Sequence, residues 1–193
     1  YQEGLKRDEG DIRLNTAYGM LLFRRGLLTE SEKYFRKALE RMTWKNPNPY
    51  NSEAYYGLGL TLFYHRRYDE AYDAFFKATW SNEQQEMSFY FLAAISAKKE
   101  DFLQALEFVE KGLVKNCHNV KARGLKATIL RKLGKIEEAK QWIKENFKID
   151  PFDYISGYEA VLLTEGEEKA IKEQTLKIQM HNSPQNFIRA AID

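Results

Sequence analysis

The side chains that most often bind metals or act as nucleophiles are few in this sequence and far apart. None of the three histidines, His65, His118 and His181, has the partner four residues away that a helical zinc site needs. Cys117 directly precedes His118, but adjacent residues rarely converge on one metal ion. No base stands near Cys117 in a recognisable pattern, so we do not predict a nucleophilic thiol. The sequence therefore predicts no metal, no cofactor and no catalytic cysteine.

Acidic residues and glycines form no catalytic pattern either. The carboxylate pairs Glu137-Glu138 and Glu167-Glu168 consist of adjacent residues, which point about 100° apart on a helix, so we predict that they face solvent. The glycines of GLGL, Gly57–Leu60, lack the GxGxxG spacing of a phosphate loop and fall inside a predicted helix. We therefore expect no enzymatic activity from these residues.

Length, charge and composition limit the function further. The chain has 193 residues, of which 44% are hydrophobic and 30% charged, enough for one folded domain or one array of repeats. A formal net charge of +2 argues against nucleic acid as a partner, since proteins that bind nucleic acid normally carry a clear basic excess. No apolar run approaches the roughly 18 residues of a membrane helix, so we expect no membrane contact. A single cysteine fits a reducing compartment, and we predict a cytoplasmic protein.

The segment DEAYDAFFKATW, Asp69–Trp80, indicates which secondary structure would position a site. Ala71, Phe75 and Ala78 follow one another at intervals of four and three residues, so they share one face of a helix. A small, large, small series suits close packing against another helix, whereas a ligand pocket would usually also show convergent polar groups. We therefore interpret these three side chains as packing residues.

The same series recurs along the chain, each time after another helical stretch that holds a small residue. The copies lie at Ser31/Phe35/Ala38, Ala105/Val109/Gly112 and Ala139/Ile143/Asn146, and the upstream small residues are Gly19, Gly59, Ala93 and Ala127. Repeat starts near Ile12, Ser52, Glu86 and Val120 give spacings of 40, 34 and 34 residues. A fixed internal period of this length is typical of helical repeat proteins.

This pattern resembles the tetratricopeptide repeat (TPR), a helix–turn–helix unit of about 34 residues. Repeat two matches the family pattern with Tyr55, Leu58, Gly59, Leu62, Tyr68, Ala71, Phe75 and Ala78. The resemblance implies an all-α fold in which TPR-type helix-turn-helix repeats stack into a right-handed superhelical solenoid. It divides the chain into an N-terminal flank (1–11), four TPR units (12–151), a degenerate helical unit (152–182) and the start of a further, truncated repeat (183–193).

Short motifs predict where some helices begin. Thr29 and Glu32 have the spacing of a capping box at the start of a second helix. The two prolines of TWKNPNPYN predict an extended link, after which Asn51 or Ser52 can cap the next helix.

The end of the sequence predicts an incomplete repeat. Ser183 and Pro184 have the order of a helix cap and first turn, but the chain stops before a partner helix. Without that helix, Phe187 and Ile188 are expected to be exposed and to support weak self-association. We interpret the chain as a fragment of a longer protein.

The resemblance also implies where a ligand would bind, because first helices line the concave surface of TPR arrays. These positions hold aromatic residues and methionine in the middle repeats and basic residues in the outer ones. The candidate groove residues are Arg13, Met20, Phe23, Arg24, Tyr56, Phe63, Tyr64, Tyr90, Lys98, Lys121, Arg131 and Lys132. Aromatic residues and arginine are enriched in protein interfaces, so we predict a protein or peptide ligand.

The groove interpretation has an alternative and one exclusion. In the alternative, neighbouring first helices cover Phe23 and Phe63, and the lysines only increase solubility. The exclusion concerns TPR co-chaperones, which hold an acidic C-terminus with a Lys-Asn-Asn-Lys-Arg set on successive first helices. That set is absent, because the matching positions are Thr16, Met20, Gly57, Met87 and Phe91.

Four longer stretches indicate a narrower resemblance. NPNPYNSEAYYGLGL, DEAYDAFFKATW, KARGLKATILRKLGK and IDPFDY are similar to the TPR region of large bacterial proteins, over most of residues 11–160. Those proteins carry an upstream β-rich domain of unknown function, which in turn resembles carbohydrate-active folds. The resemblance implies that this chain is a scaffold within a larger bacterial protein.

The sequence therefore predicts a non-catalytic scaffold for protein–protein or domain–domain interaction. Its expected ligand is a protein, a peptide or the upstream domain of its own parent chain. Two alternatives remain: an accessory helical region of a carbohydrate-active enzyme, and an RNA-binding array with Tyr56 and Tyr64 as stacking platforms. Association with the upstream domain would favour the first alternative, and a steep fall of binding with salt would favour the second.

Overall fold

The computed structural model describes residues 1–44 and 51–182, and every regular element in these ranges is a helix. The helices are α1 (Gln2–Arg7), α2 (Ile12–Arg24), α3 (Leu28–Thr43), α4 (Glu53–Tyr64), α5 (Tyr68–Ala78), α6 (Asn82–Lys98), α7 (Phe102–Lys115), α8 (Val120–Lys132), α9 (Ile136–Ile149), α10 (Tyr154–Leu162) and α11 (Glu167–Asn182). The predicted proline link around Pro47 and Pro49 lies outside the described residues. So do the predicted cap at Ser183-Pro184 and the truncated helix after it.

The chain divides into two compact parts, Tyr1–Ile95 and Ser96–Asp193, called here the N-terminal part and the C-terminal part. In the N-terminal part, α2 packs against α3 and α4, and α4 packs against α5. In the C-terminal part, α8 packs against α7, α9 and α10, and α10 also contacts α9 and α11. None of the helices in the described ranges combines the length and the apolar content that crossing a membrane requires.

Close packing in the N-terminal part depends on phenylalanine rings set against glycines. Phe35 of α3 is fully buried. A Cβ atom on Gly19 would lie 3.1 Å from the Phe35 ring, and one on Gly57 would lie only 2.3 Å from it. Phe75 of α5 is buried in the same way against α4, since a Cβ atom on Gly59 would come within 2.8 Å of its ring. In this part, α3 and α5 therefore each insert an aromatic ring where a first helix has a glycine.

The packing interpretation of DEAYDAFFKATW is confirmed for the stripe on which it was based. Ala71, Phe75 and Ala78 are fully buried. Other aromatic residues of the segment lie on the outer side of α5 or just beyond it, where Phe76 is 47% exposed and Trp80 is also exposed. The segment thus has one packing face and one exposed aromatic face.

Two buried hydroxyl groups connect α2, α3 and α4. Ser31 Oγ lies 2.9 Å from the Gly19 carbonyl oxygen, which accepts its hydrogen bond. Thr61 Oγ1 is bonded to the Gly57 carbonyl oxygen at 2.9 Å. The two hydroxyl oxygens are themselves 3.2 Å apart, so a chain of polar contacts runs through an otherwise apolar interface.

The helix starts differ in part from the motif predictions. The capping box at Thr29 and Glu32 is wrong, because α3 already begins at Leu28 and no side chain caps it. Glu32 instead accepts hydrogen bonds from Arg36 of its own helix and from Arg67 beside α5. The carboxylate therefore connects two second helices.

Of the two residues predicted to cap α4, Asn51 makes a capping hydrogen bond and Ser52 does not. Asn51 Oδ1 accepts a hydrogen bond from the Glu53 backbone N–H, so an asparagine side chain does cap the start of α4. Ser52 makes no capping bond and donates its hydroxyl to the Ala78 carbonyl oxygen at the end of α5.

The turns between first and second helices share one backbone conformation. In each, one residue has a positive φ angle of 62° to 76°, and the residues at this position are Gly26, Arg66, Glu100 and Gly134. In each turn the next backbone N–H bonds to a carbonyl five residues back, as Arg67 does to Leu62 and Leu27 does to Leu22. A side chain in this left-handed conformation costs about 1–2 kcal/mol, so arginine and glutamate are unfavourable choices here.

A buried arginine organises the C-terminal part. Arg123 of α8 donates from Nε to Asn146 Oδ1 at 2.7 Å and from Nη1 to the Cys117 carbonyl oxygen at 3.0 Å. Its guanidinium lies 4.2 Å from the centroid of the Trp142 ring. Asn146 in turn donates to Ser156 Oγ at 2.7 Å, which connects α9 to α10. Each of these polar groups therefore has a partner inside the helix packing.

Candidate interaction surface

A connected group of aromatic rings covers the first-helix surface of the N-terminal part. The Phe23 ring of α2 lies 5.6 Å from the Tyr64 ring at the end of α4. Tyr64 also lies 5.7 Å from Phe63, whose ring is 5.2 Å from that of Phe91 on α6. Ring separations of this size are favourable aromatic contacts, so three first helices contribute to one surface. We call these four residues the aromatic surface.

The rings of the aromatic surface differ in depth. Tyr64 is 48% exposed, whereas Phe23 and Phe63 are half-buried and Phe91 is buried. The alternative raised from the sequence is therefore correct in part, because neighbouring rings cover much of Phe23 and Phe63. Tyr64 is the member whose face remains open to a ligand.

Tyr56 belongs more to the core than to this surface. Its ring is half-buried and lies 5.9 Å from Phe75 and 6.4 Å from Phe91. Burial, with smaller contributions from the nearby Tyr64 and Glu86, raises the pKa of Tyr56 to about 12. The hydroxyl therefore stays protonated at physiological pH and can donate a hydrogen bond.

The remaining candidates of the N-terminal part lie around these rings. Met20 is half-buried on α2, and Tyr90 is half-buried on α6 with its ring 5.2 Å from that of Phe91. Arg13 and Arg24 are exposed at opposite ends of α2. The structure thus brings Phe23, Arg24 and Tyr64 to one end of the first helices and leaves Arg13 at the other end.

The basic candidates Lys98, Lys121, Arg131 and Lys132 all belong to the C-terminal part. The three lysines are exposed. Arg131 is only partly exposed, because its guanidinium donates from Nε and Nη2 to the Glu159 carboxylate of α10. The same carboxylate accepts a hydrogen bond of 2.9 Å from Thr128. Arg131 is therefore an internal partner of Glu159, and its guanidinium is less available to a ligand than the ammonium groups of the exposed lysines.

The residues that could carry chemistry remain separate in the structure. Within the described ranges, no three histidine, cysteine, aspartate or glutamate side chains come together as a metal site. Cys117 is exposed, and His65 and His118 lie in different parts of the chain. The Glu137 and Glu138 side chains are exposed to solvent, and they form ion pairs with Lys140 of the same helix and with Lys135 just before it.

Comparison with known families identifies the repeat. The family model of the tetratricopeptide repeat matches residues 12–79, and a second model of the same repeat matches residues 120–153. Together they cover more than half of the chain. It is a tetratricopeptide-repeat protein. The predicted fold class, an all-α TPR-type helical solenoid, is confirmed by these matches and by the solved structures that this TPR protein resembles.

Three solved structures show how general this likeness is. YrrB, described as a TPR protein with an unusual peptide-binding site, is 22% identical with a TM-score of 0.73, over 100% of this TPR chain and 97% of YrrB. Pseudomonas aeruginosa pilF is 19% identical with a TM-score of 0.76, over 100% and 86%. MamA is 21% identical with a TM-score of 0.70, over 78% and 85%. At these identities the likeness shows the TPR fold alone.

Sequence reasoning missed two residues of this end of the TPR surface. Phe91 connects the aromatic surface to the core, since its ring is stacked on Phe75 at 4.7 Å. Arg66 stands at the left-handed turn position, where the corresponding turns of other repeats have Gly26 and Gly134. The repeat spacing contained this signal, because the aligned column of Gly, Arg, Glu and Gly shows that Arg66 and Glu100 depart from glycine at a turn position.

Proposed function

We propose that this chain is a non-catalytic binding module, and that the aromatic surface of its N-terminal part holds a segment of another protein. The observation that carries the proposal is the 48% exposure of Tyr64, whose ring lies against those of Phe63 and Phe23. A ligand that covers Tyr64 gains an aromatic contact whose geometry the neighbouring rings already fix. Rigid aromatic residues of this kind often contribute most of the affinity at protein interfaces.

The fold and the surroundings of Tyr64 support a protein ligand over other classes. Stacked TPR repeats present a preformed surface, so little conformational entropy is lost when a segment binds. YrrB, which shares the fold, is described as having a peptide-binding site. Neither alternative from the sequence, the accessory region of a carbohydrate-active enzyme or the RNA-binding array, gains support from the structure or from the comparisons.

Replacing Tyr64 with alanine should weaken ligand binding by about 30-fold, the effect of losing an aromatic residue worth about 2 kcal/mol. The ligands for this measurement are peptides selected on the wild-type protein from a display library of random 12-residue sequences. Phe76→Ala is the matched control, because Phe76 is 47% exposed in the same part of the chain but lies on the outer side of α5. Binding is measured by fluorescence anisotropy.

The Phe76 variant should bind the selected peptides within about twofold of the wild type, because its ring does not adjoin the aromatic surface. Equal losses in the two variants would show that the peptides respond to general destabilisation. Unchanged binding by the Tyr64 variant would place the ligand elsewhere. Either result contradicts the proposed surface.

We also propose that the module works inside a longer bacterial protein, whose own upstream domain can supply the bound segment. The support is the similarity of the four stretches quoted above to TPR regions of large bacterial proteins. An antibody raised against this chain should detect a native protein well above 22.7 kDa. A native protein of about 22.7 kDa would contradict the proposal.

A further inference from the structure

Three exposed arginines lie within two residues of Phe23 or Tyr64, at the exposed end of the aromatic surface. Arg24 and Arg25 directly follow Phe23, and Arg66 comes two residues after Tyr64. Because the Phe23 and Tyr64 rings are only 5.6 Å apart, the two turns that carry these arginines lie side by side. We call Arg24, Arg25, Arg66 and Tyr64 the arginine rim.

The rim arginines differ from the two arginines associated with the second helices α3 and α5. Arg36 and Arg67 are bonded to Glu32 and Glu70 on the second helices. Among the described residues, none of the three rim arginines forms an ion pair. A concentration of exposed, unpaired guanidinium groups creates a local positive potential and leaves their hydrogen-bond donors available to an acceptor from outside.

The backbone conformation of Arg66 is a second unusual feature of the rim. Arg66 adopts a φ angle of 62°, which disfavours any residue with a Cβ atom; Glu100 shares this angle in its own turn, whereas the corresponding turns at Gly26 and Gly134 have glycine. No interaction of the Arg66 side chain within the described residues offsets this strain. Strained residues cluster at active sites and ligand-binding sites, and the position of Arg66 beside Tyr64 fits such a role.

We propose that the arginine rim binds an acidic peptide segment, with carboxylates paired to the arginines and an apolar or aromatic side chain of the ligand covering Tyr64. This proposal rests on the proposed function, because it names the chemical class of the segment that the aromatic surface holds. Guanidinium groups match carboxylates well, since two parallel N–H donors meet two oxygens. The rim therefore selects acidic side chains beside an apolar anchor.

A short acidic segment fits the charges better than a nucleic acid does. The rim is confined to the turn end of α2 and α4, whereas Glu53 lies at the start of α4 and Glu86 is close enough to raise the pKa of Tyr56. A phosphate backbone that followed the first helices away from the rim would meet these carboxylates. A peptide can place its acidic residues at the rim only.

The display selection described above tests the chemical class directly. Peptides selected on the wild-type protein should be enriched in Asp and Glu, and Arg24→Glu combined with Arg66→Glu should weaken their binding by about tenfold or more. The control variant is Lys33→Glu, which reverses a charge outside the rim. Lys33 is exposed on α3, and its reversal should change binding by less than about twofold.

Arg66→Gly separates binding from folding, because the two readouts should move in opposite directions. Glycine relieves the strain of the left-handed turn, so the melting temperature should rise by about 2–4 °C. Binding of the acidic peptides should nevertheless fall by about threefold or more, because one guanidinium is lost. A variant that is more stable and binds equally well would overturn the role of Arg66.

Other outcomes distinguish this proposal from the broader one. Selected peptides that depend on Tyr64 but are not enriched in acidic residues would overturn the acidic class and leave the proposed function standing. A selection without any Tyr64-dependent peptide would overturn both. The third outcome concerns single-stranded oligouridine of 12 nucleotides. If it binds tightly in a manner that depends on Arg24 and Arg66, and no acidic peptide binds in this way, the ligand of the rim is RNA.

Discussion

Replacing Arg131 with alanine should destabilise the C-terminal part by about 3 kcal/mol. The Glu159 side chain is only 3% exposed, so the variant would leave a buried carboxylate with the Thr128 hydroxyl as its remaining side-chain partner. Breaking a buried ion pair from one side typically costs about 3–5 kcal/mol, and the 22% exposure of the Arg131 side chain argues for the lower end. Urea denaturation followed by circular dichroism measures the loss.

Two further variants show whether the effect comes from the pair. Lys132→Ala removes the neighbouring exposed cation and should change stability by less than about 0.5 kcal/mol. Arg131→Met combined with Glu159→Leu removes both charges and should recover much of the loss, because apolar side chains of similar size can replace a buried pair. If Lys132→Ala is as damaging as Arg131→Ala, general surface charge rather than the Glu159 contact is responsible.

Replacing Phe35 with alanine should destabilise the N-terminal part by about 3–5 kcal/mol, the usual result of removing a buried aromatic ring. Phe35 is fully buried and contacts the bare backbone of Gly19 and Gly57. Because the two glycines have no side chains, neither can fill the cavity that the lost ring leaves. Denaturant unfolding of the variant measures the change.

The effect of Gly57→Ala should depend on whether Phe35 is present. In the wild type, the added methyl group would lie 2.3 Å from a rigid ring, so the substitution should be destabilising despite the better helix propensity of alanine. In the Phe35→Ala background the same substitution should be neutral or stabilising. Gly4→Ala is the control, because its methyl group meets the flexible end of Leu14. Additive effects of Gly57→Ala and Phe35→Ala would show that the two residues do not meet.

The repeat architecture could be predicted because it depends on local periodicity. Close helix packing requires small residues opposite large ones, and this requirement leaves a visible series such as Ala71, Phe75 and Ala78. Spacings of 40, 34 and 34 residues between repeat starts then identify the family pattern. Buried, repeating contacts of this kind constrain the sequence strongly, so the fold class was accessible without coordinates.

The state of individual charged and polar side chains could not be predicted in the same way. Arg131 had the position of a groove cation, but its partner Glu159 comes 28 residues later, in a segment whose apolar pattern departs from the TPR pattern. Thr29 and Glu32 had the spacing of a capping box, yet Arg67 from the next repeat pairs with Glu32. Long-range partners decide such cases, and local spacing does not reveal them.

The sequence predicted which residue types form the candidate site, but not how deeply each side chain is buried. The sequence placed aromatic residues on the first helices, and only the coordinates separate the half-exposed Tyr64 from the largely covered Tyr56. Depth depends on how neighbouring helices pack, which a single residue series does not determine. Whether these residues bind a ligand stays a prediction for the experiments described above.

The buried hydroxyl chain of Ser31 and Thr61 limits how the repeats of this protein can be rearranged by engineering. By repeat register, the corresponding pairs in the later repeats are apolar: Ala71 with Ile95, and Ala105 with Ile129. A shuffled array would therefore set a hydroxyl group against a hydrocarbon side chain at one or more junctions, where a buried polar group loses a neighbour. Repeats one and two form a matched pair that should be moved together, whereas the later junctions are chemically alike and more readily interchanged.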